Sequence, residues 1–348
     1  MDNSKKTILV TGGSGYIASW ILKYLLEDGH TVHATVRSLS DPKKTRHLEQ
    51  LAEESPGTLK LFEANLLQEG SFEKAMQGCE IVMHTASPFQ LNVKDAQKDL
   101  VDPALRGTRN VLLTANETPS VKRVVLTSSV VAIYGDAVEI EATDSKTFTE
   151  AYWNSTSSLS HQPYSYSKTL AEKEAWSIAD NQSQWTLTTI NPAFVMGPSI
   201  SGRTDSTSVD FMLNMFNGKL KMGVPDMNFG LVDVRDVASA HILAGLKPEA
   251  SGRHILCAGS LSMLEIAQIL RKKYGEKFPI PKNSLPNAML YMFGPFMGFS
   301  WKFLKYNLGY ALQFDNSYSK QDLGLRYRAI EDTLNTFAEN LVEEHELI

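Results

Sequence analysis

Two side chains four residues apart suggest what chemistry this chain could do. In PYSYSK, residues 163–168, Tyr164 and Lys168 fall on one face of a helix. A free phenol has a pKa of about 10, too high for ready proton exchange at neutral pH, and a neighbouring ammonium stabilises the phenolate. Tyr164 is therefore the candidate acid and Lys168 the group that tunes it, whereas Tyr166, two residues from Lys168, points elsewhere on the helix. Upstream, VVLTSS delivers Thr127, Ser128 and Ser129 to the end of an apolar run. A hydroxyl there can hold a carbonyl oxygen while its carbon receives hydride. Ser129 is the choice, with Ser128 the neighbouring alternative.

A hydride donor needs its own site, and residues 8–18, ILVTGGSGYIA, describe one. An apolar strand runs into Gly12, Gly15 and Ala18, and an amphipathic helix follows. Gly12 permits a tight turn, Gly15 lets backbone approach a pyrophosphate, and Ala18 lets the helix lie close to the strand. The phosphates would then sit at a helix N-terminus, where free N–H groups favour anions. Ser14, Tyr16 and Ile17 belong to the same turn. This pattern predicts a nicotinamide dinucleotide. NAD sites place Asp or Glu at the end of the second strand for the ribose hydroxyls. No carboxylate occurs between Asp28 and Asp41; Arg37 stands there instead, followed by Lys43 and Lys44. Those cations suit a 2′-phosphate, so NADP(H) is the expected cofactor. The plainer alternative makes Arg37 a solvated strand-end residue.

The elements that must position these groups alternate. β-rich runs at Thr7–Thr11, Thr31–Arg37, Leu59–Glu63, Ile81–His84, Arg123–Leu126 and Thr186–Ile190 are separated by amphipathic stretches at Tyr16–Glu27, Asp41–Glu54, Ser71–Gln77, Asp95–Asn116 and Tyr164–Asp180. Strand–helix alternation implies an α/β fold, a Rossmann-type doubly wound parallel sheet with right-handed crossovers. After Asn191 the texture changes, with several Pro and Gly and a Ser/Thr-rich stretch through Ser208. A dinucleotide-binding domain over 1–191, completed by 229–258, is expected, with a smaller C-terminal α/β substrate-binding region from 192–228 and 259–348. Helices are expected at Val209–Phe216 and Asp233–Gly245, a strand at His254–Ala258, a helix capped by Ser262 with Glu265, and a closing helix at Ile330–Glu343.

Together TGGSGYIA, HTASPF, VVLTSS, PYSYSK, NPAFVMGP, VDVRDVASAH and QDLGLRYR resemble the extended short-chain dehydrogenase/reductases, in the branch of dihydroflavonol 4-reductase, cinnamoyl-CoA reductase and yeast-type NADPH-dependent aldehyde and methylglyoxal reductases. The resemblance runs through nearly the whole chain. It implies Arg37 and Lys44 on the 2′-phosphate and Thr85, Ala86 and Ser87 along the cofactor; Thr127, at the end of its apolar run, is a further candidate cofactor contact. It also implies Ser129, Tyr164 and Lys168 in catalysis, Lys168 on the nicotinamide ribose, and Pro192 and Val195 near the nicotinamide. One departure stands out: the family's Asp-Leu beside the adenine is Asn65-Leu66 here, which leaves hydrogen bonding possible but altered. Phe89, Val131, Phe194 and Met212 are the candidate substrate contacts, joined by Ser129 and Tyr164; Met212, with Met215 and Phe216, fits a plain core stripe equally well.

The expected activity is reduction of an aldehyde or ketone to the alcohol. A hydroxysteroid dehydrogenase or sugar-nucleotide epimerase on the same scaffold is the alternative, and a non-catalytic NADP(H) sensor a further one. The formal charge of −5, without any basic block, argues against nucleic acid as a partner. Cys79 and Cys257 offer no metal spacing and read as buried thiols of a cytoplasmic protein. His84 reads as structural, and Asp233, Arg235 and Asp236 as braces at a helix start. Leu285–Trp301 carries no charge, but Pro286, Gly294, Pro295 and Gly298 break it and it is shorter than a ~20-residue membrane span. A lid, a core helix or a membrane-surface patch are its readings. The expected partner is a small carbonyl compound, the assembly a monomer or homodimer.

Overall fold

A computed structural model describes residues 4–87, 93–202 and 206–344. Among the described residues ten strands form: β1 Thr7–Thr11, β2 Thr31–Val36, β3 Thr58–Glu63, β4 Ile81–His84, β5 Arg123–Thr127, β6 Thr186–Pro192, β7 Phe194–Met196, β8 Asn228–Asp233, β9 Gly252–Leu256 and β10 Gly259–Ser262. The helices are α1 Tyr16–Glu27, α2 Pro42–Glu53, α3 Glu73–Met76, α4 Asp102–Asn116, α5 Pro163–Asp180, α6 Thr207–Phe216, α7 Val234–Leu246, α8 Met263–Tyr274, α9 Asn287–Phe293, α10 Trp301–Asn307, α11 Ser317–Asp322 and α12 Ile330–Glu344.

Seven strands pair in the order β3-β2-β1-β4-β5-β6-β9, all in parallel. The chain winds outward from β1 to β3, then returns to β4 on the other side of β1. The crevice beyond the carboxyl ends of β1 and β4 is where such sheets bind ligands. β1 shows why the sheet is covered on both faces: Ile8 and Val10 pack into the layer holding α1 and α7, and Leu9 into the layer holding α4 and α5. Each such aliphatic side chain removed from water contributes about 1.5–3 kcal/mol.

Two boundaries differ from the sequence reading for identifiable reasons. The stretch expected as one helix from Asp95 begins with a wider π turn at Gln97–Val101 and becomes α-helical only at Asp102, because Pro103 has no N–H to continue the ladder. The segment 229–258 divides between layers. β9 joins the large sheet and α7 packs on its face, whereas β8 pairs with β7 and, antiparallel, with β10 in a separate three-stranded sheet. Ser262 and Glu265 do form a capping box at α8. α6, α8 and α12 close a second core around Val209, Met212, Ile266, Leu270, Phe337 and Leu341. Cys79 and Cys257 are both buried thiols. No helix among the described residues is long and apolar enough to cross a membrane.

Candidate active site

A cleft of about 1520 Å³ runs along the carboxyl edge of the large sheet and between it and the second core. At one end Gly12, Ser14, Gly15, Tyr16 and Ile17 line it. Gly12 takes φ +68, and a Cβ there would meet Ala86 at 3.1 Å; a Cβ on Gly15 would meet the Gly12 carbonyl oxygen at 3.0 Å. α1 begins at Tyr16 after the N-cap Gly15, with no side-chain cap. The helix start thus presents its first N–H groups to the cleft, as a diphosphate would require. Tyr16 lines the wall and its hydroxyl donates to the Gly197 carbonyl at 2.5 Å, tying α1 to the loop after β7.

Arg37, exposed past the end of β2, and Lys44, on α2, line the same end. Lys44 Nζ lies 3.4 Å from the Asp41 carboxylate, a contact open to solvent that leaves it able to reach a second anion. Asn65 and Leu66, just past the neighbouring strand β3, line the cleft as well. The Asn65 amide oxygen accepts from the Leu67 N–H at 3.0 Å. A carboxylate would accept the same bond, so the turn after β3 is indifferent to Asn or Asp.

At the middle of the cleft Thr85, Ala86 and Ser87 leave the end of β4. Thr11 fixes them: its hydroxyl oxygen accepts from the N–H groups of Thr85 and Ala86 at 3.2 and 3.1 Å. Its proton is then left for Nδ1 of His84 at 2.9 Å. Burial, with Lys168 adding to it, pushes the His84 imidazole down to about 3, so it is a neutral strut. Thr127 is similarly engaged. Its hydroxyl donates to Nε2 of His241 at 2.6 Å, while Nδ1 of that ring donates to the Val237 carbonyl.

Ser129, Tyr164 and Lys168 meet in the same cleft. Lys168 Nζ donates to Ser87 Oγ at 3.0 Å and sits 5.9 Å from the centre of the Tyr164 ring. Burial lowers the Lys168 ammonium to about 8, against the opposing pull of Glu172. Burial also pushes the Tyr164 phenol up to about 12, although the residue keeps 38% of its surface open to the cleft, where water offsets part of that effect. The two serines separate cleanly. Ser128 is buried and its hydroxyl donates to Glu172, whereas Ser129 is half-buried and its oxygen accepts a 3.3 Å bond from the Val131 N–H.

Pro192, Phe194 and Val195 lie on β6 and β7 beside this centre, with Val131 across from them. Beyond, Phe194 packs edge-on to Phe211 at 5.3 Å, and Phe229 closes the cluster at 5.7 and 5.8 Å. Tyr134 and Phe303 add further rings to the wall. Of the expected substrate contacts, Phe89 lies outside the described residues. Met212 is a correction: it is fully buried in the second core beside Val209, Met215 and Phe216, and does not reach the cleft. Those four positions make one helical stripe, and Phe211 and Asn214 occupy the face turned to the cleft.

Glu172, one turn beyond Lys168, carried no signal in the sequence because a lone Glu on a helix reads as surface. It is buried, and its carboxylate accepts from Ser128, from Asn191 Nδ2 at 2.7 Å and from Arg253 Nε at 2.6 Å. Arg253 in turn lies 3.8 Å over the Trp153 ring and donates to the carbonyls of Glu150 and Tyr152. Gln162, just before α5, sits at φ +53, held by side-chain bonds to the Gly135 carbonyl at 2.7 Å and the Asp136 carboxylate at 2.6 Å. That strained turn aims the first residues of α5, Tyr164 among them.

Residues 8–258 match the model of a family described as the NAD dependent epimerase/dehydratase family. The chain is 46% identical over 276 residues to cinnamoyl-CoA reductase CAD2 of Medicago truncatula, covering 78% of this chain and 82% of that one. It is 34% identical over 347 residues to tetraketide alpha-pyrone reductase 1 of Arabidopsis thaliana, covering 99% and 98%. Among solved structures it is similar to yeast methylglyoxal/isovaleraldehyde reductase Gre2 complexed with NADPH, with a TM-score of 0.76 and 27% identity over 98% of this chain and 100% of that one. With a parallel sheet, a glycine turn at its switch point and a matched segment spanning most of the sequence, this chain belongs to the NAD dependent epimerase/dehydratase family.

Proposed function

We propose that this protein is an NADPH-dependent reductase that converts an aldehyde or ketone to the alcohol, with Tyr164 as proton donor. The observation that carries the reading is the convergence of Ser129, Tyr164 and Lys168 in one cleft whose far end is lined by Gly12, Gly15, Arg37 and Lys44. The relatives support it: each is named a reductase, and the yeast structure holds NADPH. In this reading 1–191 with α7 and β9 bind the cofactor, and the second core supplies the substrate wall.

NADPH, when bound, supplies the hydride. Gly12, Ser14, Gly15, Tyr16 and Ile17 hold its diphosphate, Arg37 and Lys44 its 2′-phosphate, and Asn65 and Leu66 its adenine. Thr85, Ala86, Ser87 and Thr127 line its path, with Pro192 and Val195 at the nicotinamide end. Ser129 donates to the substrate oxygen and fixes it within reach of Tyr164. The phenol, which burial keeps protonated, gives its proton to the alkoxide as charge develops there. The Lys168 cation stabilises the phenolate left behind. A cavity of about 20 Å³ between His84, Ser87, Ser128, Lys168 and Glu172 has room for about one water, on the route by which Lys168 could return the proton. Phe194, Phe211 and Val131 favour an apolar or aromatic body on the carbonyl compound.

The test follows NADPH absorbance with purified protein against aryl aldehydes, α-keto esters, diketones and hydroxysteroids. Oxidation of NADPH by at least one class, faster than with NADH, is expected. No turnover with any carbonyl, despite NADPH binding, would favour a sensor and overturn the reading.

A further inference from the structure

Five of the large apolar side chains most exposed to solvent lie within eleven residues of one another: Tyr291, Met292, Phe293, Phe296 and Trp301. Phe296 is 89% exposed, Met292 and Trp301 66% each. They project from a helical hairpin, α9, a 3-10 turn at Gly294–Met297 and α10, that packs inward on Leu290, Leu304 and Leu308. The inner side of α10 reaches the cleft through Phe303 and Asn307, and Asn307 is anchored to Asp136 at 2.8 Å. Met222, 71% exposed, lies on the loop whose next residues, Gly223 and Val224, pack and bond against Asn283 and Leu285 ahead of α9. The hairpin is thus one wall of the substrate end of the cleft, with its apolar side turned out.

Charge separates the possible occupants. From Lys277 to Phe314 the chain carries four lysines, Lys277, Lys282, Lys302 and Lys305, and no acidic residue, in a protein whose formal charge is −5. Lys219 and Lys221 precede Met222 on the same loop. All six lysines are exposed, and none makes an ion pair among the described residues. A second copy docked about a two-fold axis would set this positive patch against itself and be repelled. An anionic bilayer surface accepts both parts, the rings at the acyl boundary and the lysines at the headgroups. The remainder of the chain, more negative than the total, would be turned away from such a surface.

We propose that the α9–α10 hairpin, with Met222 and the surrounding lysines, is a docking surface for anionic phospholipid membranes that sets the substrate mouth of the cleft against the bilayer. Docking itself does not depend on the reductase reading; that the mouth admits an apolar compound partitioned in the lipid rests on it.

The experiment is co-sedimentation of the full chain with vesicles of phosphatidylcholine alone or of phosphatidylcholine with phosphatidylserine, at low and high salt, with light scattering for the oligomeric state. The wild type is expected to pellet with the anionic vesicles, less with neutral ones, and less as salt rises. Phe296→Ser with Trp301→Ser should cut the bound fraction at least about tenfold, and Lys302→Glu with Lys305→Glu should abolish the preference for phosphatidylserine. None of these residues lines the cleft, so NADPH binding and thermal midpoint should be unchanged in both variants, which separates docking from misfolding. Wild-type protein that stays in the supernatant with every vesicle overturns the proposal, as does pelleting that survives both variants. A dimer that the Phe296/Trp301 variant splits, without vesicle binding, would assign the patch to a second copy and equally overturn it.

Discussion

Arg37 and Tyr164 act at opposite ends of one cleft, and each makes a separable prediction. Removing the guanidinium in Arg37→Ser deletes a charge-assisted contact worth about 1.5–3 kcal/mol, so KM for NADPH should rise roughly ten- to a hundredfold while KM for NADH stays put. Equal changes for both cofactors would remove Arg37 from the 2′-phosphate. The neighbouring pair Phe211 and Met212 gives a second contrast, because one faces the cleft and the other the core. Met212→Ala should cost about 2–5 kcal/mol in urea unfolding and leave the carbonyl KM alone, whereas Phe211→Ala should raise that KM with little loss of stability. At this scale the sequence was most legible where backbone geometry dictates residue type: Gly12 and Gly15 could be read because few other residues fit. Glu172 and Arg253 could not, since nothing in a helix's or strand's local pattern reveals that two charged groups 81 residues apart share one buried site. Met212, read as either a substrate contact or core, is core, and the cleft is lined by Phe211 one position away, a rotation of about 100° around the helix.

The element that positions the chemistry is α5, and it is fixed at both ends of its active stretch. Gln162 holds its start against Gly135 and Asp136, and Glu172 bonds it to β5, β6 and β9 through Ser128, Asn191 and Arg253. Glu172→Ala would leave the Arg253 cation buried without its carboxylate, at a cost of about 3–5 kcal/mol in denaturant unfolding. A change below about 1 kcal/mol would show that the network is not a structural clamp. Strands and helices of the first half were legible because their period is strong; β1, α1 and β4 start and stop where the apolar runs do. β8 and β10 were not. Asn228–Asp233 contains Gly230, and Gly259–Ser262 has one large apolar residue, so their pairing is set by tertiary contact, β8 with β7 and β10 with β8, rather than by propensity.

Across the molecule the cleft lies between the large sheet and the second core, and imidazoles buried within the large-sheet layers make the fold sensitive to acid. Burial holds His241 at about 4 and His84 at about 3, below the ordinary value near 6.5. Between those limits the unfolded chain binds protons that the folded one excludes, so stability rises with pH there. It should be complete above about pH 6.5 and fall progressively toward pH 4. Urea midpoints measured across that window should show the slope, and His241→Gln, which retains a partner for Thr127, should flatten it; a slope unchanged in that variant would place the proton uptake elsewhere. The overall α/β architecture was legible from alternation of elements, while the shape of the substrate wall was not, because Phe194, Phe211, Phe229 and Phe303 come from four elements distant in sequence. The account as a whole stands on Tyr164. NADPH binding by fluorescence titration and NADPH oxidation with a reactive carbonyl should be measured side by side for wild type and Tyr164→Phe. The account predicts an unchanged Kd with turnover reduced at least about a hundredfold; undiminished turnover at the same Kd would contradict it.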